Sequence, residues 1–265
     1  MNLKGKRILL TGATGGVGML VAQLLADKGA QLAIVGRDTA KLDKLKSQLA
    51  KSGAKVCAIV ADLNETGAPQ RVADEAIAGL GGLDVLINNA GILDFIAFET
   101  QSPERVDQMI HTNVTALIQL TNAAMPHFLA KNAGQFLFIG SIFGSLGFPH
   151  FATYCATKFA VHGFSQALRR ELVDSNIGVT YIAPRAINTP MMNDNSAEMM
   201  KKSGNRLDAP EKVAGIIVKA LEKETQEVFI GQPQTFFAWL NGVAPKMVNM
   251  GLKKQPGLAR PFLKK

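Results

Sequence analysis

Only two of the 265 residues are cysteine, Cys57 and Cys155. They stand far apart, in no metal-ligand or redox spacing, so neither a disulfide framework nor a cysteine-held metal site is expected. Both read as small buried hydrophobes of a reducing compartment. Long apolar runs are also missing. Met1 to Lys6 leads into Arg7–Thr11, which is too short for a signal or membrane-spanning segment, and a cytoplasmic protein is the expectation. Repeats and low-complexity linkers are absent. Acidic residues stop at Glu227, whereas Lys246, Lys253, Lys254, Arg260, Lys264 and Lys265 follow it. Those six cations account for most of the net charge of +8 and leave a body close to neutral. Basicity belongs to the tail. With no nucleic-acid-reading motif beside it, nucleic acid is not an expected partner.

What is present is a globular composition, 47% hydrophobic and 19% charged. Short β-branched or Leu-rich runs at 7–11, 31–36, 55–60, 83–88, 135–140, 177–183 and 227–231 alternate with stretches of helical periodicity. Continuous apolar strands without in/out alternation suit a parallel sheet covered on both faces. The alternation predicts an α/β, Rossmann-type doubly wound fold, its mostly parallel seven-stranded sheet flanked by helices. One domain spans 1–231, and 232–265 extends it as a basic, apolar helical segment. Gly29 is placed to end the helix after the first strand, Asp38 to cap the next, and Pro103 and Pro210 to open two later helices.

The run Thr11-Gly-Ala-Thr-Gly-Gly-Val-Gly18 lies between a strand and an amphipathic helix. There a glycine turn delivers backbone N–H groups at a helix N-terminus, where dipole and hydrogen bonds can hold a pyrophosphate. The spacing fits T-G-x-x-x-G-x-G through Gly12, Gly16 and Gly18, and equally G-x-x-G-x-x-G through Gly12, Gly15 and Gly18. On its own the turn indicates a nucleotide site and leaves the branch open.

Tyr154-Cys-Ala-Thr-Lys158 places a tyrosine and a lysine at i and i+4, on one face of a helix. A phenol is a poor base at neutral pH, because its pKa is near 10. Lowering it by roughly 3 units takes about 4 kcal/mol, within reach of two close cations, an ammonium and a nicotinamide ring. Such a tyrosine can protonate a carbonyl oxygen or accept the proton of an alcohol. Ser141, at the end of the fifth strand, could hydrogen-bond and polarise the same oxygen.

With these residues together the sequence resembles the short-chain dehydrogenase/reductase family over roughly residues 5–231. Besides the glycine turn, Ser141, Tyr154 and Lys158, the matching elements are Asp62, Asn88-Asn-Ala-Gly91, Asn113, Pro184 and Thr189. The intact Asn88–Gly91 run and the chain length favour the shorter, single-domain branch. The resemblance implies a catalytic set of Asn113, Ser141, Tyr154 and Lys158. Ser141 would orient the substrate oxygen, Tyr154 act as acid/base, Lys158 hold the nicotinamide ribose and depress the tyrosine pKa, and Asn113 hold a relay water. Gly12, Thr14, Gly15, Gly16 and Val17 would line the pyrophosphate. Asp62 and Leu63 would meet the adenine, Asn89, Ala90 and Gly91 its ribose, and Pro184, Ile187 and Thr189 the carboxamide. Where the family has Pro-Gly this chain has Pro184-Arg185, and Arg185 is expected either at the cleft surface or pointing toward cofactor or substrate. The resemblance also implies a homodimer or homotetramer.

The second strand ends Val35-Gly36-Arg37-Asp38. A carboxylate at the strand end would favour NAD; Gly36 leaves room, and the Arg37 guanidinium can pair with a 2′-phosphate. NADP(H) is therefore the expected cofactor, with NAD(H) the alternative, and Asp38 is expected to cap a helix. Three segments, 92–99, 142–153 and 190–206, should frame the substrate, the last as a closing lid. They supply Phe95, Ile96, Phe98, Ile142, Phe143, Leu146, Phe148, Phe151, Met191, Met192, Met199 and Met200, which suits an apolar carbonyl or alcohol compound. Thr235–Leu240 and Val243–Leu252 read as helices split by Pro245, covering the cleft, forming a subunit contact or lying on an anionic membrane surface. A non-catalytic NADP(H) sensor is the competing function class.

Overall fold

The computed structural model describes residues 1–204 and 206–263; Asn205, within the expected lid, and Lys264 and Lys265, of the basic tail, lie outside the described residues. Seven strands form one parallel sheet: β1 (Arg7–Leu10), β2 (Gln31–Gly36), β3 (Val56–Val60), β4 (Val85–Asn88), β5 (Gly134–Ile139), β6 (Ile177–Pro184) and β7 (Glu227–Ile230). Their spatial order is β3-β2-β1-β4-β5-β6-β7, so the direction of winding reverses between β1 and β4.

Strand residues point alternately to opposite faces, and both faces here are covered. Ile8, Leu10, Leu32, Ile34, Val85 and Ile87 pack with α1 (Gly16–Asp27), α2 (Thr39–Ala50) and, further along the chain, the helix Pro210–Glu222. Leu9, Ala33, Val35, Leu86, Phe136 and Phe138 pack with α3 (Ala68–Leu80), and on the same face lie the helices over 116–131 and 152–171. A strand buried on both faces needs no polar alternation, which is why these runs read as continuous apolar stretches. In chain order the remaining helices are α4 (Pro103–Ile110), α5 (Ala116–Lys131), α6 (Ala152–Glu171), α7 (Asp194–Lys202), α8 (Pro210–Glu222), α9 (Gln234–Val243), α10 (Pro245–Leu252) and α11 (Gln255–Ala259).

The local signals behave as their chemistry requires. Gly29, at φ +78°, follows the end of α1 in the left-handed region, where glycine is unstrained. Asp38 caps α2, accepting from the Lys41 N–H at 3.0 Å. Pro103 and Pro210 occupy the first positions of α4 and α8. A π-helical turn, His111–Thr115, joins α4 to α5.

A third apolar cluster sits beyond the sheet. Phe95, Phe148, Phe151, Met199, Met200 and Ala259 are buried together, with Leu252, Phe262 and Leu263 of the C-terminal segment packed against them. The expected lid is thus a helix, α7, capped by Asn193 and held by two buried methionines.

Candidate active site

A cleft of about 690 Å³ opens at the carboxyl ends of the strands, at the reversal between β1 and β4. Gly12, Thr14, Gly15, Gly16, Val17, Arg37, Asp62, Leu63, Asn89, Ala90, Gly91, Ser141, Tyr154, Lys158, Pro184, Ile187 and Thr189 all line it. Among the expected site residues only Asn113 does not.

The turn after β1 is built by close approach. A Cβ at Gly18 would lie 2.2 Å from the Gly12 carbonyl oxygen, and one at Gly12 would lie 2.9 Å from Ala90 Cα. Asn89 locks this turn to the end of β4: its Nδ2 donates to the carbonyls of Thr11 and Gly12, at 3.0 and 3.1 Å. The Asn89 side chain is therefore committed to the turn, leaving its backbone to line the cleft. Gly15 stands at the N-cap of α1 with no side-chain cap, and the first turn carries no acidic residue. Its N–H groups face the cleft with no carboxylate competing for them, an arrangement suited to an anion.

The adenosine end differs from expectation in one partner. Arg37 extends toward Asp62, Nη1 to Oδ2 3.8 Å, and is largely exposed. Asp62 does not cap α3, whose N-cap is Gly67; it accepts from the Asn64 N–H at 3.0 Å and shapes the turn below the cleft. Lys41 also lines the cleft and pairs with Asp38 at 3.2 Å. Lys41 is a second cation that sequence reading missed, though its place one turn after Arg37 was a usable signal. Asn64 and Thr112, hydrogen-bonded at 2.9 Å, and Arg105, paired through two bonds with Asp94, also line the cleft and had no such signal.

At the other end, β5 delivers Ser141 and α6 delivers Tyr154 and Lys158. The Ser141 hydroxyl stands beside the Tyr154 phenol, where it favours the phenolate, and accepts from the Phe143 N–H at 3.1 Å. Lys158 is buried, its Nζ donating to the Ile139 carbonyl at 2.9 Å and lying 5.6 Å from the centre of the Tyr154 ring. Burial pushes the Tyr154 phenol up to about 12, a rise the Ser141 hydrogen bond only partly offsets. Burial likewise brings the Lys158 ammonium down to about 8. The expected lowering of the tyrosine called on two cations, the Lys158 ammonium and the nicotinamide ring; in the cleft without that ring, desolvation sets the phenol.

Asn113 works from behind the cleft wall. Its Oδ1 accepts from the Ile92 N–H at 2.8 Å, and its Nδ2 donates to the Ile92 carbonyl at 2.9 Å and to Thr157 Oγ1 at 3.1 Å. The side chain ties the strand-end loop to α6, one turn of which carries Tyr154 and Lys158. The π-helical turn that aims it there has no counterpart in the apolar periodicity.

Arg185 lies beside the cleft as expected, but its guanidinium is neither free at the surface nor free to reach a ligand. Its guanidinium makes two 2.8 Å bonds to Asp208 and a third to the Gln232 carbonyl, and the pair is buried, with side-chain exposures of 9% and 5%. It clamps the loop after β6 to the approach to α8 and to the start of the C-terminal extension. Of the twelve apolar residues expected around the substrate, Ile142, Phe143, Phe151, Met191, Met192 and Met200 line the cleft. Phe98 is exposed, and Phe95, Phe148 and Met199 fill the cluster behind the cleft.

The model of the short chain dehydrogenase family matches residues 6–200. The chain is 33% identical over 251 residues to the dehydrogenase/reductase SDR family member 7B of Bos taurus, covering 90% of this chain and 77% of that protein. It is 31% identical over 231 residues to the ketoacyl reductase HetN of Nostoc sp., covering 87% and 80%. A solved short chain dehydrogenase from Burkholderia cenocepacia J2315, in complex with NADP, matches with a TM-score of 0.80 at 25% identity, covering 89% of this chain and all of that one. Fold, cleft and comparisons agree: the chain is an oxidoreductase of the short-chain dehydrogenase/reductase family.

Proposed function

We propose that this oxidoreductase interconverts a carbonyl and an alcohol on an apolar substrate, with NADP(H) as redox partner and Tyr154 exchanging the proton. One observation carries the reading. The Ser141 hydroxyl, the Tyr154 phenol and the Lys158 ammonium converge at one end of a cleft that is also lined by the uncapped N-terminus of α1.

The residues fit a dinucleotide. The turn Gly12–Val17 offers backbone N–H groups to a pyrophosphate, and Gly16 has no Cβ where Thr189 approaches, at 3.0 Å from the position one would take. Asp62 and Leu63 would flank the adenine, Asn89 to Gly91 the adenosine ribose, and Pro184, Ile187 and Thr189 the carboxamide. Arg37, with Lys41 beside it, would meet the 2′-phosphate, and these two cations carry the choice of NADP over NAD. Bound there, the nicotinamide supplies or accepts the hydride.

This chain's own groups handle the proton. With its pKa pushed up to about 12, the Tyr154 phenol is protonated at neutral pH and stands as the acid for carbonyl reduction. Ser141 holds the substrate oxygen against that phenol. Lys158, brought down to about 8, is still mostly charged at neutral pH and would donate to the ribose hydroxyls. In the oxidative direction the phenol must first lose its proton, which positive charge on the oxidised ring makes less costly. The apolar wall of Ile142, Phe143, Phe151 and three methionines selects for hydrocarbon beside the reacting carbon.

NADPH consumption across a panel of apolar ketones and aldehydes tests the reading. Turnover is expected on several, and Tyr154→Phe should lower kcat by about 10²–10⁴-fold while NADPH still binds. NADPH binding without turnover of any carbonyl would move the protein to the sensor class, and activity confined to charged sugars would overturn the substrate class. Arg37→Ala should reduce kcat/KM for NADPH relative to NADH by about ten- to a hundredfold. An unchanged ratio would remove the NADP assignment.

A further inference from the structure

Among the described residues fifteen large apolar side chains are exposed, and seven of them fall between residues 236 and 258. Trp239 is 63% exposed, Val243 65% and Met250 70%, and apolar exposure gathered in one patch marks an interaction surface. Spacing gathers them: Phe236, Trp239 and Val243 follow i, i+3, i+7 along α9, and Met247 and Met250 follow i, i+3 along α10. The Phe236 and Trp239 rings touch, their centres 5.8 Å apart. Lys246 lies on α10 and Lys253 and Lys254 directly follow it, all exposed, with Arg260 further on, and no acidic side chain comes after Glu227 in the sequence.

We propose that α9 and α10 form a docking surface for an anionic lipid bilayer. Apolar side chains enter the acyl boundary while the cations meet lipid phosphates and carboxylates. Charge decides against a second copy of the chain. A two-fold interface would set the same uncompensated cations against themselves, which like-charge repulsion opposes. The surface adjoins the substrate end of the cleft: α9 is tied to it by Asn241, whose Nδ2 donates to the Ser145 carbonyl at 3.0 Å.

Trp239 is the chain's single tryptophan, so its fluorescence reports this surface alone. The full chain is mixed with phosphatidylcholine vesicles, with and without phosphatidylserine, and emission and co-sedimentation are followed. A blue shift and binding at least about tenfold stronger with phosphatidylserine are expected, both weakening as salt is raised. The triple variant Lys246→Glu, Lys253→Glu, Lys254→Glu should lose both while still binding NADPH. Failure to bind either vesicle would overturn the proposal, as would equal binding to both. A blue shift that grows with protein concentration in the absence of lipid would overturn it too, assigning the surface to self-association.

A separate observation concerns the chain's other tyrosine. Tyr181 on β6 is completely buried, and its hydroxyl donates to the Ser141 carbonyl at 3.2 Å while accepting from the Ser141 N–H at 3.4 Å. Two glycines make its notch: a Cβ at Gly140 would lie 2.2 Å from the ring, and one at Gly144 would lie 2.4 Å from the hydroxyl. His162 of α6 stacks on the opposite face, ring centres 4.4 Å apart and nearly parallel, and its Nδ1 lies 3.2 Å from the Gly144 carbonyl. We infer that Tyr181 is a positioning residue for Ser141, wedged between β6, the Ser141 turn and the helix bearing Tyr154. This inference rests on the role given to Ser141 above.

Tyr181→Phe keeps the ring and the His162 stack and removes only the bridging hydroxyl. The expected result is a fall in kcat of about tenfold, with KM and NADPH affinity unchanged. In a Ser141→Ala background the same change should have no further effect, because a misplaced hydroxyl no longer exists to be lost. Wild-type kcat in Tyr181→Phe, or an equal loss in both backgrounds, would overturn the inference. Ser141→Ala as active as the wild-type chain would overturn the reading of the site as well.

Discussion

Arg185 shows how a departure from a family pattern can be repaired inside the fold. Glycine at that place could adopt dihedrals an arginine cannot, yet here the longer side chain folds back onto Asp208 and covers Gly231, where a Cβ would lie 2.4 Å from Arg185 Cδ. Such a pair is worth little relative to an apolar replacement, but breaking it leaves a buried charge alone. Arg185→Ala should therefore cost about 3 kcal/mol, moderated by Lys212, which reaches Asp208 at 3.3 Å, and urea unfolding measures it. Arg185→Lys should recover only part of this, because one ammonium cannot replace a two-pronged guanidinium. A loss under 1 kcal/mol for the alanine variant would show the clamp to be ornamental. The residue types of the site were legible in the chain because their chemistry is local: a glycine turn, a Tyr–Lys helical pair, a strand-end serine. Their partners were not. The commitment of Asn89 to the turn and of Arg185 to Asp208 depend on segments far apart in sequence, as does the burial that raises the Tyr154 phenol.

At the scale of elements, the strands were readable almost to the residue because each is apolar on both sides and ends where its neighbours end. The C-terminal pair α9 and α10 was readable from Pro245, which opens α10. The π-helical turn 111–115 was not, since apolar periodicity runs through α4 and α5 as though they were one helix, and the extra residue per turn is imposed by Asn113 reaching Ile92. Helix α2 carries a testable conflict between stability and cofactor choice. Asp38 caps its first turn, yet the same carboxylate pairs with Lys41 at the edge of the cleft. Asparagine caps as well as aspartate but carries no charge. Asp38→Asn should keep Tm near that of the wild-type chain and raise the NADPH-over-NADH preference a few-fold, since Lys41 is released toward the phosphate. Asp38→Ala should lower Tm. Equal effects of both variants on the preference and on Tm would show that charge, which both remove, and not capping sets the behaviour of this helix.

At the scale of the molecule, the winding order places sequence-distant strands side by side, and charge helps to hold that arrangement. Asp84, at the start of β4, receives Arg7 of β1 through two side-chain bonds of 2.8 Å and Lys131 at the end of α5 at 2.7 Å. Burial alone would raise its carboxyl, but the Arg7 and Lys131 hydrogen bonds prevail and hold it well below the usual carboxylate range. The carboxyls of Asp94 and Asp208 are lowered too, first by hydrogen bonds from Arg105 and Arg185. For each, the folded pKa lies below that of the unfolded chain, near 3.9. Between the two values the unfolded state binds more protons, so the stabilisation is complete above about pH 4 to 5 and is lost as pH falls through the folded values. The urea midpoint should accordingly be nearly flat from pH 7 to about 5 and drop steeply below about 4. Asp84→Asn should be less stable than the wild-type chain by about 2–4 kcal/mol at pH 7. That gap should close on acidification, because the protonated aspartate has lost the same charge. A gap that stayed constant down to the acid transition would mean that Asp84 contributes through packing, and that the ion pairs joining β1, β4 and α5 do not set the acid limit of the fold.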